Sequence, residues 1–360
     1  MAQIDAFFKL MNEQGASDLH LISGQQPVLR IHGELERVKY KVLENDPLKT
    51  MLYEIAAENK VKVFEETGDV DFAYEIPGLA RYRANFFQQK NGIGAVFREI
   101  PLTILTCEHL GFPPVIPRLA TLPRGLVLVT GPTGSGKSTT LAAIIDEANK
   151  LRKDHILTVE DPIEFVHESQ KAVVNHREVG LHTESFSAAL RGALREDIDV
   201  ILVSDMRDLE TMSLAIEASS TGHLVFGTLH TSSAAKTVDR VIEVFPISQQ
   251  EQIRSTLSDG LRAVIAQNLF KRIDKKGRVA ALEIMIATPA VRNLIREGKT
   301  FQIPSMIQTG KKFGMQCLDD AIMDLLNKKI ISPDDAYSKS NDKGKFLPFM
   351  KNPPADFIDV

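Results

Sequence analysis

The pattern of apolar and polar residues divides the chain into two parts of different character. In residues 1–100, short runs alternate between apolar and polar positions, and two stretches, 3–14 and 47–66, have a helical pattern. Alternation with a period of two predicts strands with one buried face, which is typical of antiparallel sheets. This part is therefore predicted to be a small α+β domain. Its predicted strands are 18–22, 28–31, 70–75, 80–86 and 94–98.

Prolines follow this domain at positions 101, 113, 114 and 117. Proline fixes φ and lacks a backbone N–H group, so residues 101–117 are predicted to be an extended linker with short turns. The remaining residues, 118–360, form the second predicted domain.

The second domain alternates helical patterns with short runs that are apolar throughout, at 126–130, 156–159, 200–203 and 224–229. Such runs predict parallel strands that are covered on both faces, and the fold class is therefore α/β and doubly wound. A helical tail is predicted to follow the last run. We interpret the apolar stripe at 318, 321, 322, 325 and 326 as packing. From about residue 338 the chain is polar, and we expect it to be loosely ordered.

Residues 131–138, Gly-Pro-Thr-Gly-Ser-Gly-Lys-Ser, match the phosphate-binding loop G-x-x-x-x-G-K-[ST]. The loop follows an apolar strand and precedes a helix, which is the context that phosphate binding requires. A chance turn rich in Gly and Ser is the alternative, and the complete match disfavours it. We predict that the chain binds a nucleoside triphosphate, that Lys137 neutralises its β- and γ-phosphates and that Ser138 ligates Mg²⁺. The predicted nucleotide-binding residues are Gly131, Thr133, Gly134, Ser135, Gly136, Lys137, Ser138 and Thr139.

Carboxylates follow two of the apolar runs. Glu160 and Glu164 come after the run at 156–159, and Asp205 follows the run at 200–203. Hydrolysis of a phosphoanhydride needs a metal ion and a group that activates water, so these three are predicted catalytic residues. Acidic residues at strand ends also occur as simple solvated caps.

Two further groups are candidates for contact with phosphate. His230 follows the run at 224–229, and a histidine that only forms a local hydrogen bond is an equally good interpretation. Arg81, Arg83 and Arg98 lie in the first domain, and the planar guanidinium group suits phosphate oxygens. A solvated basic face is the alternative that these residues leave open.

The composition of the chain argues against several classes of protein. The net charge of −4 argues against general nucleic-acid binding, and 43% hydrophobic residues is ordinary for a globular protein. The sequence contains no run of about 20 apolar residues and no secretory signal. Its two cysteines, Cys107 and Cys317, exclude a four-cysteine zinc site within the chain. We expect a cytosolic protein.

Taken together, these residues resemble the PilT family, the retraction ATPases of bacterial type IV pili within the secretion-ATPase superfamily. The likeness extends over nearly the whole chain and includes a segment similar to one associated with retraction, Val-Arg-Asn-Leu-Ile-Arg-Glu at 291–297. The other segments that carry it are Ser-Asp-Leu-His-Leu at 17–21, the phosphate loop, the Asp-box-like 158–164, Arg-Glu-Asp at 195–197, Met-Arg-Asp at 206–208 and the His-box-like 221–231.

The resemblance implies a homo-hexameric ring built from an N-terminal PAS-like domain and a RecA-like ATPase domain. In such a ring, Arg81, Arg83 and Arg98 would reach a nucleotide held mainly by Lys137 and Ser138 of a neighbour. The implied partners are an inner-membrane pilus platform protein and a paralogous retraction ATPase. The ring would work at the cytoplasmic face of the inner membrane, peripheral to it only through its partners, and would bind no nucleic acid.

Two positions depart from the family. The Walker B strand usually ends in Gly-Glu, whereas here it ends in Ser204 and Asp205. Aspartate reaches roughly 1.5 Å less far, and a misplacement of about 1 Å can cost on the order of 10²-fold in rate. His176 stands where the family more often has glutamine, and the sequence suggests no consequence.

Three functional hypotheses follow. The first is a hexameric motor that hydrolyses ATP to retract type IV pili. The second is an accessory ring subunit that binds ATP but hydrolyses it weakly because of Asp205. The third is a related ATPase of protein secretion or DNA uptake, which the segment 291–297 disfavours.

Overall fold

The computed structural model describes residues 3–31, 34–100 and 102–351. The chain divides into two compact units. The first comprises Met1–Thr103 together with Asp161–Val166, and the second comprises Ile104–Glu160 together with His167–Val360. The sequence predicts residues 161–166 in the second domain, whereas the structure groups them with the first unit.

The first unit is an antiparallel sheet with helices packed against one face. The strands lie in the order β3-β2-β1-β6-β5-β4, and every neighbouring pair is antiparallel, as the alternating pattern predicts. In chain order its described elements are α1 (Asp5–Gln14), β1 (Asp18–Ile22), β2 (Val28–Ile31), β3 (Glu34–Arg37), α2 (Asn45–Tyr53), α3 (Glu58–Thr67), β4 (Asp69–Ile76), β5 (Ala80–Gln89) and β6 (Gly92–Ile100).

Alternate residues of the central strands build the core of this unit. Phe8 of α1 stacks on Tyr82 of β5 with ring centroids 4.2 Å apart, and it meets Phe97 of β6 edge-on at 4.9 Å. The neighbours of Tyr82, Arg81 and Arg83, face the other side of the sheet because successive side chains alternate. The hydrophobic period therefore gives this sheet one apolar face and one charged face.

The predicted helix at 47–66 is wrong in one respect. It is two helices: α2 ends at Tyr53, and the extended backbone of Ala57 precedes α3. No Gly or Pro marks this break. Ile55 and Ala56 pack against the core at the break, so tertiary packing overrides the helical propensity of the segment.

The second unit is built on a seven-stranded sheet in the order β13-β12-β7-β11-β10-β8-β9. Among its described strands, only β13 is antiparallel to its neighbour. Its described elements are α4 (Val115–Leu119), β7 (Gly125–Thr130), α5 (Lys137–Leu151), β8 (His155–Glu160), β9 (Val173–Glu178), α6 (Phe186–Ala193), β10 (Val200–Val203), α7 (Leu209–Thr221), β11 (Leu224–Leu229), α8 (Ala234–Glu243), α9 (Ile247–Gly260), β12 (Leu261–Lys271), β13 (Arg278–Ile286), α10 (Pro289–Arg296), α11 (Ile303–Thr309), α12 (Leu318–Asn327), α13 (Pro333–Lys339) and α14 (Lys343–Phe346).

The sheet is covered on both faces, as its continuous apolar strands predict. Along β7, Leu126 and Leu128 enter one hydrophobic cluster, while Val127 and Val129 enter another on the opposite face. The doubly wound α/β prediction is confirmed. The carboxyl ends of β7, β11, β10 and β8 therefore lie side by side along one edge of the sheet.

The structure corrects three expectations for the second unit. The predicted helical tail begins too early, because β12 and β13 precede α10. The predicted linker is partly helical, and Ile116 of α4 is fully buried, whereas Pro101 lies outside the described residues. The expected loose end contains α14, whose Phe346 is fully buried in a cluster with Phe270 and the α12 stripe. Apolar contact with β12 thus orders a segment that its polarity had marked as loose; residues 352–360 lie outside the description.

Candidate nucleotide site

The phosphate loop joins β7 to α5, and glycines make its path possible. Gly131, Gly134 and Gly136 have φ angles of 145°, 76° and 88°, and residues with a Cβ atom rarely adopt such positive φ angles. A Cβ atom on Gly131 would lie 2.4 Å from the backbone oxygen of Gln267. Glycine at this position is therefore required by packing as well as by backbone conformation.

Lys137, the first residue of α5, folds back over the loop. Its Nζ atom donates hydrogen bonds to the carbonyl oxygens of Gly131 and Pro132 at 2.9 and 3.1 Å. Ser138 and Thr139 follow in the first helical turn and are half-buried, whereas Thr133 is exposed at the tip. A cation and the N-terminus of a helix thus meet at the loop, an arrangement that suits a polyphosphate.

Three of the predicted site residues lie at or just beyond the carboxyl ends of strands that neighbour this loop. In the sheet order β7-β11-β10-β8, His230 follows β11, Asp205 lies two residues beyond β10, and Glu160 is the last residue of β8. The strand registers place Leu128, Gly227, Val203 and Val159 level with one another. The sequence prediction that these carboxylates share one edge of the sheet with the phosphate loop is therefore confirmed for Glu160 and Asp205.

The Asp205 carboxylate is held from one side only. Its Oδ2 atom pairs with Nε of Arg207 at 2.6 Å, and its Oδ1 atom lies 3.9 Å from Nε2 of His230. Oδ1 is buried and has no hydrogen-bond partner among the described residues. A buried carboxylate oxygen without a donor is costly unless a ligand, a water molecule or a metal ion completes it.

The pKa of His230 connects this carboxylate with the loop. Burial lowers the pKa of His230 below its usual value, the positive charge of Lys137 lowers it further, and Asp205 acts in the opposite direction. The imidazole is therefore neutral at pH 7 and stands in the electrostatic field of both groups.

Glu160 is buried and has two histidines in its neighbourhood. Nδ1 of His176 lies 3.9 Å from Oε1 of Glu160 and 2.7 Å from the hydroxyl oxygen of Thr158. Nε2 of His176 lies 3.1 Å from the backbone nitrogen of His167 and 3.3 Å from its carbonyl oxygen, so the ring contacts both backbone polar groups of His167. His176, to which the sequence assigned no consequence, thus packs behind the strand-end carboxylate.

The remaining predicted residues belong to the first unit. Glu164 lies 3.8 Å from Nη1 of Arg83, so the structure pairs this predicted catalytic acid with one of the predicted arginines. Arg81 pairs with Glu75 at 3.4 Å, and Arg98 pairs with the buried Asp18 at 2.9 Å.

These arginines share one face of the sheet. Arg83 and Arg98 stand directly opposite each other on β5 and β6, and Arg81 lies two residues from Arg83. Each has a carboxylate partner, so the face is an array of ion pairs rather than an uncompensated basic patch.

Comparison with known proteins assigns the family. A family model described as Type II/IV secretion system protein matches residues 2–318. The chain belongs to the Type II/IV secretion system protein family.

Several known proteins are similar to this chain along most of their length. The type IV pilus retraction ATPase PilT of Pseudomonas aeruginosa is 56% identical over 328 residues, which is 91% of this chain and 95% of the relative. A twitching motility protein of Neisseria gonorrhoeae is 51% identical over 87% of this chain and 84% of the relative. The type IV pilus ATPase PilU of Pseudomonas aeruginosa is 36% identical over 94% of this chain and 89% of the relative.

A solved structure agrees with these relatives. The crystal structure of the pilus retraction motor PilT with bound ADP matches with a TM-score of 0.87 at 42% identity, over 96% of this chain and 98% of that chain.

Among the described residues of this family member, we find no helix that is both long and apolar enough to cross a membrane.

One residue that contacts the phosphate loop of this family member could not be identified from the sequence. Gln267 of β12 is buried, and its Nε2 atom donates to the carbonyl oxygen of Ser135 at 2.6 Å. Its Oε1 atom accepts from the hydroxyl group of Thr140 at 2.7 Å. Gln267 could have been placed near the loop only if β12 had been predicted as a neighbour of β7.

Proposed function

We propose that this chain is an ATP-hydrolysing motor subunit that powers type IV pilus retraction, and hence twitching motility. The observation that carries the proposal is the meeting of Lys137 in the phosphate loop with the strand-end residues Asp205 and Glu160 on one edge of the sheet. The similarity to PilT over nearly the full length of both proteins supports retraction as the task.

The site fits ATP with Mg²⁺. The loop residues Thr133, Ser135 and Thr139 would surround the phosphates together with Lys137, and Ser138 would hold the metal ion. The orphaned, buried Oδ1 atom of Asp205 is the structural observation that favours a bound group here. When bound, a divalent cation neutralises charge on the phosphates and stabilises their orientation.

The strand-end acids have distinct tasks in this proposal. Asp205 orients the attacking water and accepts its proton. Glu160, which is buried at the end of β8, supplies a second carboxylate to the site. His230, neutral at pH 7, can donate a hydrogen bond to a phosphate oxygen through its one ring N–H group. Glu164, predicted to be catalytic, would act by orienting Arg83, whose Nη1 atom lies 3.8 Å from its carboxylate.

The arginines have their role in a ring. We place a PAS-like first domain and a RecA-like second domain in a homo-hexamer, in which Arg81, Arg83 and Arg98 reach the nucleotide of a neighbouring subunit. Their ion pairs with carboxylates support this, because a guanidinium that is already oriented loses less freedom on meeting phosphate. Hinge motion of the two domains about the proline-bearing linker would convert hydrolysis into work.

The partners follow from the task. We propose an inner-membrane pilus platform protein as the element that the ring turns, at the cytoplasmic face of the membrane, with a paralogous ATPase beside it. The existence of PilU among the relatives supports the last point.

Deletion and complementation in the host test this function. Cells that lack the gene should keep surface pili but lose twitching, the native gene should restore twitching, and Lys137→Ala should not. Cells that twitch normally without the gene would contradict a retraction motor.

One observation favours a second candidate function. Asp205 is shorter than the usual glutamate, and Arg207 holds one of its oxygens at 2.6 Å. An accessory subunit that binds ATP and hydrolyses it weakly would show turnover near background that Asp205→Glu raises. Turnover of the native chain equal to that of Asp205→Glu excludes this candidate.

A further inference from the structure

The side chain of Gln267 connects two parts of the phosphate-binding element. Its amide donates to the Ser135 carbonyl oxygen at 2.6 Å and accepts from the Thr140 hydroxyl group at 2.7 Å. Ser135 belongs to the loop, and Thr140 belongs to the first turns of α5. One side chain from β12 thus spans the junction at which the loop becomes a helix.

The bridge is buried. Gln267 is 4% exposed, Ser135 2% and Thr140 fully buried. On the same strand, Ala266 pairs with Thr130, the last residue of β7, so Gln267 stands beside Gly131 where the loop begins. Water does not compete for these hydrogen bonds, and losing one leaves a buried polar group without a partner.

The orientation of the amide is determined by its neighbours. The Ser135 carbonyl oxygen can only accept a hydrogen bond, so it must face the NH₂ group of Gln267. The amide oxygen then faces Thr140, whose hydroxyl group donates. A flipped amide would set two acceptor oxygens against each other, which makes a single arrangement favourable.

This arrangement has a consequence for phosphate. A peptide group is planar and trans, so its C=O and N–H bonds point in opposite directions. Gln267 holds the Ser135 carbonyl outward, toward β12, and the N–H of Gly136 in the same peptide group consequently points the other way. A phosphate loop binds its ligand through such N–H groups.

We infer that Gln267 is a positioning residue for nucleotide binding, which fixes the direction of the Gly136 N–H through its hydrogen bonds to Ser135 and Thr140. This inference rests on the proposed binding of ATP by the phosphate loop. It assigns to β12 a part in the site besides its part in the sheet.

Measuring nucleotide affinity in Gln267→Leu tests the inference. Kd for ADP and for ATP should both rise on the order of ten-fold, since the N–H groups of the loop contact phosphates that the two nucleotides share. KM should rise while kcat changes little, because the interaction is made before and during the reaction. Unchanged Kd values for a folded Gln267→Leu would overturn the inference.

Gln316→Leu is the matched control. The Gln316 amide donates to the Leu282 carbonyl oxygen at 3.0 Å, so this variant removes a hydrogen bond of the same type from the β13 backbone instead of the loop. Both variants should lower the melting temperature, and only Gln267→Leu should weaken nucleotide binding. An equal loss of affinity in both variants would mean a general structural effect and would refute the positioning role.

Thr140 supplies a second test if Gln267→Leu fails to fold. Thr140→Ser keeps the hydroxyl donor to Oε1 and should bind ADP nearly as the native chain does. Thr140→Val keeps the shape, loses the donor and should bind ADP more weakly. Equal Kd values for the two variants count against the inference. A native chain that binds neither nucleotide overturns the proposed function itself, a result that the variants alone cannot produce.

Discussion

The Nε2 atom of His230 lies 3.9 Å from Oδ1 of Asp205, at the carboxyl ends of two adjacent strands. The same histidine is within the electrostatic influence of Lys137, whose charge opposes protonation of the imidazole. The loop cation, the histidine and the strand-end carboxylate therefore interact electrostatically as one group, although Lys137 and His230 are 93 positions apart in the sequence.

This coupling makes opposite predictions for two substitutions in the nucleotide-free protein. Lys137→Met removes a positive charge and should raise the pKa of His230, whereas Asp205→Asn removes a negative charge and should lower it. Titration of the imidazole resonances by NMR, with His230→Gln to assign the signal, measures both shifts. Two variants that leave the pKa where it is in the native chain would refute the juxtaposition of these three side chains.

Two loop glycines should tolerate alanine very differently. At Gly134, with a φ angle of 76° and open space around a Cβ, alanine should cost about 1 kcal/mol of stability from backbone strain. At Gly131, the Cβ would also lie 2.4 Å from the Gln267 backbone oxygen, and we expect a loss of about 2–4 kcal/mol. Urea unfolding of the two variants compares the costs. Equal losses would contradict the close packing of the loop against β12.

The buried His167 should make stability depend on pH. Burial is the main cause that lowers its pKa to about 4, and the nearby His176 adds to the effect. In the unfolded chain it takes up a proton near pH 6.5, while the folded chain does not, so acid favours unfolding between pH 6.5 and pH 4.

Relative to His167→Gln, the native chain should lose about 2 kcal/mol of unfolding free energy between pH 7 and pH 5. Denaturant titrations of both proteins at the two pH values give this difference directly. Parallel pH dependence in the two proteins would show that His167 accepts a proton in the folded state.

Mixing of inactive subunits tests whether the sites are composite. Lys137→Ala lacks the loop cation, and Arg98→Ala lacks an arginine that Asp18 orients at 2.9 Å. If Arg98 serves the nucleotide of a neighbour, rings that contain both variants should regain part of their ATPase activity, since some sites then have both residues.

Lys137→Ala mixed with Asp205→Asn is the control for this experiment. Both changes lie in the second unit, so no mixed ring contains a site with both residues intact, and activity should stay at the level of either variant alone. Recovery in neither mixture would argue against a role of Arg98 in a neighbouring site.

The sequence predicts those parts of the site that are contiguous or follow from strand order. Residues 131–138 are one motif, and the apolar runs before Glu160 and Asp205 are regular enough to place both at the same edge of the sheet. Gln267 could not be predicted because it contacts Ser135 from 132 positions away in the sequence. It also lies on β12, in a region where the sequence predicts helices instead of a strand. The break at Ala57 and the burial of Phe346 escape prediction for a related reason, since packing against distant residues decides both.

Steady-state ATP hydrolysis by the native chain, measured beside Lys137→Ala and Asp205→Glu, tests the central claim most directly. A motor subunit should exceed Lys137→Ala by on the order of 10²-fold or more, with a rate comparable to that of Asp205→Glu. A native rate no higher than that of Lys137→Ala, together with a high rate in Asp205→Glu, would contradict the motor and leave an accessory ATP-binding subunit.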